Sequence, residues 1–516
     1  MNDPLRRELI RTLSGIGAAS AMTGMADVAS AQSPNSPDPT GSWPVSDAER
    51  AASVMPADLR FQLGDIRRYG ADPSGARDST QALIDANAVG AHGGAAIRIP
   101  SGHYKYAPVE TLEIAVSWRG DGPRESWILC DTSKFAGEFF RLVGSTEIRD
   151  VLIQAKGGKA GTGLRLAPKD SGQFTGHIRL TRIWIFGFDY NLRCDNNFEV
   201  TFDQVRLMLG NEGFYCEPET LEGNGYCTTH LHLNCYYAQN DRNVFYAPSI
   251  RYAFRTITFV CGAIEGATGG SCQASFTRCS PLKFVQIYLE SAPKIPALVL
   301  NDCTVSIDGG YLAGTGGIKV GANSCIDFRQ VLAMLASDSL SCADTARHVA
   351  MQDCQWPASG NTLPAANVSL RNTKINGVSY GESAWDSSSF GATRFSRQSA
   401  VVDTNEPQDV YRFLNPAGNV IGGSISGRFQ IIAKDKGDPT NQAIYEAWVG
   451  SMSGGAKHAS LVPVQRIVRG TEVGASAAPL SLAEDGQYGG IKLQFRKNPG
   501  IAQVVIDVLF DGLCIS

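Results

Sequence analysis

A four-residue unit, small residue, apolar, variable, apolar, keeps returning along the middle of this chain. It stands at Gly163-Leu164-Arg165-Leu166, Asn191-Leu192-Arg193-Cys194, Gly213-Phe214-Tyr215-Cys216, Asn243-Val244-Phe245-Tyr246, Ala297-Leu298-Val299-Leu300 and Gly317-Ile318-Lys319-Val320, with a weaker copy at Ala274-Ser275-Phe276-Thr277. The starts lie 20 to 31 residues apart, the spacing of solenoid coils with insertions at their corners. Two further strand sets run in phase with it. One holds Phe202 and Gln204, Leu231 and Leu233, Ile257 and Phe259, Leu282 and Phe284, and Val305 and Ile307; the other holds Leu207 and Leu209, Ile287 and Leu289, and Gly310 and Leu312. Residues two apart on a strand share a face, so these pairs are expected to point inward. Three strands per coil make a triangular prism of about eight to ten coils between Leu112 and Ser379. Short apolar runs also suit buried helix pieces, but β-branched and aromatic enrichment and the Gly/Asn corners favour strands.

A stack needs a closed end. The stretch from Gly64 to Tyr106, GDIRRYGADPSGARDSTQALIDANAVGAHGGAAIRIPSGHYKY, supplies one. Asp78 and Ser79 offer oxygens to helix N-terminal donors, Ala82, Leu83, Ala86 and Val89 form an apolar stripe, and Gly93-Gly94 ends the helix. Ala96-Ile97-Arg98-Ile99 then alternates as a strand before Pro100-Ser101-Gly102 turns the chain. This ordered set resembles the leading segment of the pectate-lyase-like, right-handed parallel β-helix superfamily, which includes rhamnogalacturonase/epimerase-like proteins, glycoside hydrolase relatives and many phage tailspikes. The Asn-Thr-Asp, Asp-Asp, Gly-His-Gly and Arg-Ile-Lys motifs of polygalacturonase-type members are missing, and Thr175 to Leu180 holds only a fragment, TGHIRL. The resemblance therefore covers the fold and not the catalytic residues.

From about Gln398 the repeat stops. Residues 427–433, 443–449, 490–495 and 502–508 alternate with the length and pattern of antiparallel strands. The expected fold class is all-β: a right-handed parallel β-helix over 59–397 with an N-terminal helix cap, and a C-terminal antiparallel β-sandwich over 398–516. A stack followed by such a module resembles tailspikes, whose terminal domain drives trimerisation or binds sugar, so the resemblance raises a homotrimer as the assembly.

At the other end, Arg6-Arg7 precedes a weakly apolar stretch and Ala29-Ser30-Ala31. That is the layout of a twin-arginine-like export signal over 1–31, cleaved after Ala31. An uncleaved amphipathic N-terminus of the kind phage tail proteins use for attachment is the alternative. The stretch is too polar and short to span a membrane. Residues 32–58, rich in Pro, Ser and Asp, read as a disordered linker. The 516 residues carry 46 basic against 50 acidic side chains, a formal charge of −4, which argues against general nucleic-acid binding. Thirteen cysteines show no zinc spacing, so neither metal nor cofactor is expected. Cysteines such as Cys216, Cys261 and Cys303 read as small apolar core residues.

Chemistry is expected on outward ladders. Gly187, Gly210, Gln239, Glu265, Glu290 and Ala313 each follow the last inward residue of a strand, so Glu265 and Glu290 become vertical neighbours. Coils about 4.8 Å apart put such carboxylates near the roughly 5 to 5.5 Å of a retaining glycosidase pair, with like charge pushing one pKa up. Solvated corner glutamates are the alternative. Gln239 and Tyr288 would flank the pair as sugar contacts, and Asp308, before Gly309-Gly310, is a third acid in reserve. A second ladder, Asp203, His232, Thr258, Lys283 and Ser306, mixes the cation and base that β-elimination from a uronic acid needs.

These readings converge on a secreted, periplasmic or virion-associated protein that degrades an extracellular polysaccharide, with Glu265 and Glu290 as acid and nucleophile or base. A polysaccharide lyase using His232 and Lys283 is one alternative, and a non-catalytic adhesin or tail component is the other.

Overall fold

The computed structural model describes residues 41–514 apart from 94, 171–172, 217–226, 243–244, 248–253, 268, 271, 291, 293, 314–315, 335–338, 344, 357–360, 365–366, 377, 386–392, 413–424, 452–458, 476–477 and 486–489. The expected export signal lies outside these residues.

Each coil supplies three strands. Ile97–Ile99, Gly102–Tyr106 and Leu112–Ile114 form the first coil, and Phe254–Val260, Ala263–Glu265 and Ala274–Thr277 a later one. Equivalent strands of successive coils pair in parallel, so the chain winds into a right-handed β-helix with three faces. The third face is a ten-stranded sheet, and it carries the repeat. Leu164, Leu192, Phe214, Phe245, Ala274, Leu298 and Ile318 stand in one vertical register.

From the third coil onward, the corner between the first and second faces turns on one left-handed residue, whereas in the second coil it holds residues 121–125. Asp150, Arg182, Gln204, Asn234, Cys261 and Gln286 all adopt left-handed backbone with φ between 48° and 62°. Such a conformation costs a non-glycine residue about 1–2 kcal/mol. The stack offsets it: the N–H groups of Arg182, Gln204, Asn234 and Cys261 donate to the carbonyls of Asp203, Leu233, Val260 and Val285 on the next coil at 2.8–3.0 Å. The bend is tight enough that Leu282–Glu290 and Thr304–Ala313 each run as one strand across both faces.

Inside, Phe202, His232, Phe259 and Phe284 are in register, with ring centroids 4.4, 4.3 and 5.0 Å apart. This corrects the expectation for His232. It points into the core, 1% exposed, and its Nδ1 lies 2.7 Å from the Tyr237 hydroxyl. Leu231 and Leu233, expected inside, are half-buried on the outer side. The cause is local: Thr229 takes left-handed backbone, φ 57°, and resets the parity of the strand Cys227–Leu233. Gln204 and Leu209, also expected inward, are exposed left-handed corner residues.

His230 is likewise buried, its Nε2 2.5 Å from the Asn197 Oδ1. Burial pushes its pKa down to about 3, and burial together with His230 pushes His232 well below the ordinary range. A depressed histidine pKa means that the unfolded chain binds the extra protons, so stability is full above about pH 6.5 and falls as pH drops toward 3. His230 alone should cost about 2 kcal/mol at pH 5. Urea midpoints at pH 7.5 and 5 will read this, and an unchanged midpoint would refute it.

The helix Thr80–Gly93 places Leu83, Ala86 and Val89 in the same core as Ile97, Ile114 and Trp118, and Asp78 Oδ1 accepts the Thr80 N–H at 2.9 Å. The expected linker is ordered from residue 41. The helix Asp47–Ala51 has a Ser46/Glu49 capping box, and Glu49, fully buried, pairs with Arg68 at 2.5 Å. A five-residue helix is too short to show a sequence period. None of the twelve cysteines whose side chains are described forms a disulfide. Cys216 and Cys303 are buried as small core residues, whereas Cys261 sits half-buried at a corner.

Parallel pairing ends with Val368–Ile375, where the chain reverses into the antiparallel strand Val378–Trp385. An antiparallel sheet continues through Thr393–Val402, Val504–Cys514, Ile425–Asp435, Gln442–Ser451 and Ala459–Arg469. A smaller one joins Gln408–Arg412, Gly490–Phe495 and Leu480–Asp485. The two share an apolar core distinct from that of the stack, in which the Tyr411 ring lies 5.2 Å from Phe429 and Tyr445 lies 5.8 Å from Phe495.

Candidate functional site

The strand Ala263–Glu265 and the end of Leu282–Glu290 beyond Gln286 lie on the second face, anchored by Ile264 and Leu289, which are 1% and 3% exposed. Period-2 alternation therefore turns Glu265 and Glu290 outward, and the ladder register places them directly beside each other. Each carboxylate accepts a phenol. Tyr288 donates its hydroxyl to Glu290 Oε2 at 2.5 Å, and Tyr236, one coil earlier, donates to Glu265 Oε1. The bond to Glu265 is the main reason that the Tyr236 hydroxyl is pushed up to about 12, with partial burial adding to it.

Gln239 is displaced by one position from its expected place. Ala238 occupies the ladder slot before Glu265, and Gln239 forms the exposed left-handed corner next to it, φ 55°, donating its N–H to the Glu265 carbonyl at 3.1 Å.

A second outward column runs two residues before the carboxylates. Trp184, Arg206, Tyr236, Ala263, Tyr288 and Tyr311 are in vertical register. The Arg206 guanidinium lies 4.7 Å above the Trp184 ring and 5.6 Å from that of Tyr236, a cation–π arrangement that holds both aromatic faces. With corner residues Gln204 and Asn234 they line a groove of about 590 Å³. Aromatic faces bordered by amides and a guanidinium suit a pyranose, which offers apolar C–H faces and a rim of hydroxyls. Trp184, Arg206 and Tyr311 escaped the sequence reading. The signal that finds them is their offset of two residues from the glutamate column.

The remaining expected residues do not join this group. His232 is inside the prism. Lys283 is exposed on the first face between Thr258 and Ser306, and Asp308 is exposed on that face between Val285 and Arg329. The imidazole and amine of the elimination ladder are thus separated by the wall of the stack. Among the described residues, no group of three or more His, Cys, Asp or Glu could hold a metal ion, and no helix is long and apolar enough to cross a membrane.

No family model and no curated protein matches the sequence. Among solved structures, the chain is similar to the gp42 tailspike of Acinetobacter phage vb_AbaP_AS12, at 10% identity over 85% of this chain and 89% of that one, with a TM-score of 0.49. It is also similar to tailspike gp49 of Acinetobacter baumannii bacteriophage Fri1, a capsular polysaccharide depolymerase, at 10% identity over 87% and 86% with a TM-score of 0.43. The A-module of the Azotobacter vinelandii mannuronan C-5 epimerase AlgE6 matches at 13% identity over 60% and 90%, with a TM-score of 0.37. The three parallel ladders read directly from the chain carry the fold assignment: this is a right-handed parallel β-helix protein.

Proposed function

We propose that the second face binds an extracellular polysaccharide and hydrolyses it, with Glu265 and Glu290 as the acid and nucleophile or base. The observation that carries this reading is the pair of tyrosine-held carboxylates in adjacent register beside the Trp184–Arg206–Tyr236 column. Ladder spacing of about 4.8 Å suits a retaining pair, in which one carboxylate attacks the anomeric carbon while the other protonates the leaving oxygen. The depolymerase among the similar structures agrees with a glycan as partner, and a virion-associated or exported location follows from the same reading. Incubating the full chain with bacterial exopolysaccharides and pectic polymers tests the reaction. Products carrying one added water support hydrolysis, and unsaturated products absorbing in the ultraviolet overturn it in favour of elimination.

We place self-association, as a homotrimer, on the edge strand Ala459–Arg469. Its Val462, Val464, Ile467 and Val468 are 40% to 55% exposed, and a long apolar edge is a ready template for another chain. A sedimentation mass of three chains supports this, and a single-chain mass refutes it.

A further inference from the structure

Two arginine ladders run up this stack, and their surroundings differ. On the third face Arg141, Arg165 and Arg193 are in register, and every one meets a carboxylate: Arg141 pairs with Glu138 at 2.6 Å, Arg165 with Asp195 at 2.6 Å and also with Glu138, and Arg193 with Asp195 at 3.5 Å. On the first face Arg98, Arg119 and Arg149 are equally in register. Only Arg98 has an acid partner, Asp121 at 3.5 Å. The side chains of Arg119, exposed, and Arg149, half-buried, make no hydrogen bond or ion pair among the described residues. Like charges one coil apart repel by about 1 kcal/mol even at the dielectric of water, so the two unpaired cations stacked beside Arg98 are poised for an external anion.

Their position says which anion. Arg98 and Arg119 line a groove of about 760 Å³, and that groove shares Pro123 and Arg182 with the one containing Trp184, Arg206 and Tyr236. One channel thus crosses the corner, beside the segment 121–125, from the arginine ladder to the tyrosine that holds Glu265. Arg149 and Glu265 are four coils apart, roughly 19 Å, and Arg98 lies two coils further off, so a ligand that engages both is an extended polymer. We propose that Arg98, Arg119 and Arg149 form an anionic subsite for a polysaccharide bearing carboxylate or sulfate groups, anchoring it well away from the point of cleavage. The planar guanidinium fork matches either group in bidentate fashion. The inference rests on the reading of the second face as a glycan platform, and it adds the charge class of the glycan.

Polygalacturonate, dextran sulfate and uncharged dextran, titrated into the full chain at low and physiological salt, test it. Binding is expected for the charged polymers, weakening with salt, and each arginine removed in Arg119→Ala and Arg149→Ala should lower affinity roughly tenfold. Arg119→Lys and Arg149→Lys, which keep the charge and lose the fork, should lose less. The two charged polymers separate carboxylate from sulfate. Unchanged affinity in the double alanine variant, no binding of either charged polymer, or equal arginine-dependent binding of a single-stranded oligonucleotide would each overturn the subsite. Failure of the underlying glycan reading shows differently: Trp184→Ala would then leave every polymer's affinity unchanged.

Discussion

Glu265→Gln and Glu290→Gln should each cut the release of reducing ends by roughly a thousandfold, the scale of removing a positioned acid, base or nucleophile. Affinity for the polymer should barely move. Glutamine keeps the shape of the carboxylate and can still accept the Tyr236 or Tyr288 hydroxyl through its amide oxygen, so the local packing survives while proton transfer and nucleophilic attack do not. A purely adhesive protein would bind the polymer equally well in all forms and release nothing from the start. If one variant alone kept full release, the two residues would not work as a pair. Reducing-end assays beside equilibrium binding on the same preparations distinguish these outcomes.

Phe259→Ala should destabilise the stack by about 3–5 kcal/mol, the cost of emptying a closely packed aromatic site. Its ring is 2% exposed, sandwiched between His232 at 4.3 Å and Phe284 at 5.0 Å, with Phe276 edge-on at 6.1 Å. A solenoid coil leans only on its neighbours, so the loss has no distant compensation. Leu231→Ala is the matched control: half-buried on the outside, it should cost less than about 1.5 kcal/mol. Urea denaturation followed by far-ultraviolet dichroism measures both. Equal losses would mean that Leu231, and not His232, faces the core.

That contrast also marks where sequence reasoning reached its limit. The repeat located the third face correctly because Leu164, Leu192, Phe214 and Leu298 are apolar residues at apolar positions, flanked by small corner residues. The register of Glu265 and Glu290 was legible for the same reason, since Ile264 and Leu289 announce the inward side. On the first face that logic failed. Two histidines occupy core positions where two leucines look better suited, and nothing in the residue types at Thr229 signals the left-handed bulge that exchanges them. The corner at Gln204 and Cys261 was equally hidden, because neither residue type favours left-handed backbone. The Trp184–Tyr311 column was missed because its members come from separate coils and share no motif, only a vertical line.

The tight bend between the first two faces has one more implication. From Asp150 onward the chain turns there on one left-handed residue, so in those coils an inserted or deleted residue would throw the flanking strands out of alternation, whereas the second coil carries the longer segment 121–125 at this edge. Along those coils the channel crossing that edge is therefore free to change its chemistry only by exchanging side chains, or its reach only by gaining and losing whole coils. Anyone retuning the specificity of this scaffold should substitute along the bend and graft new loops at the other two corners.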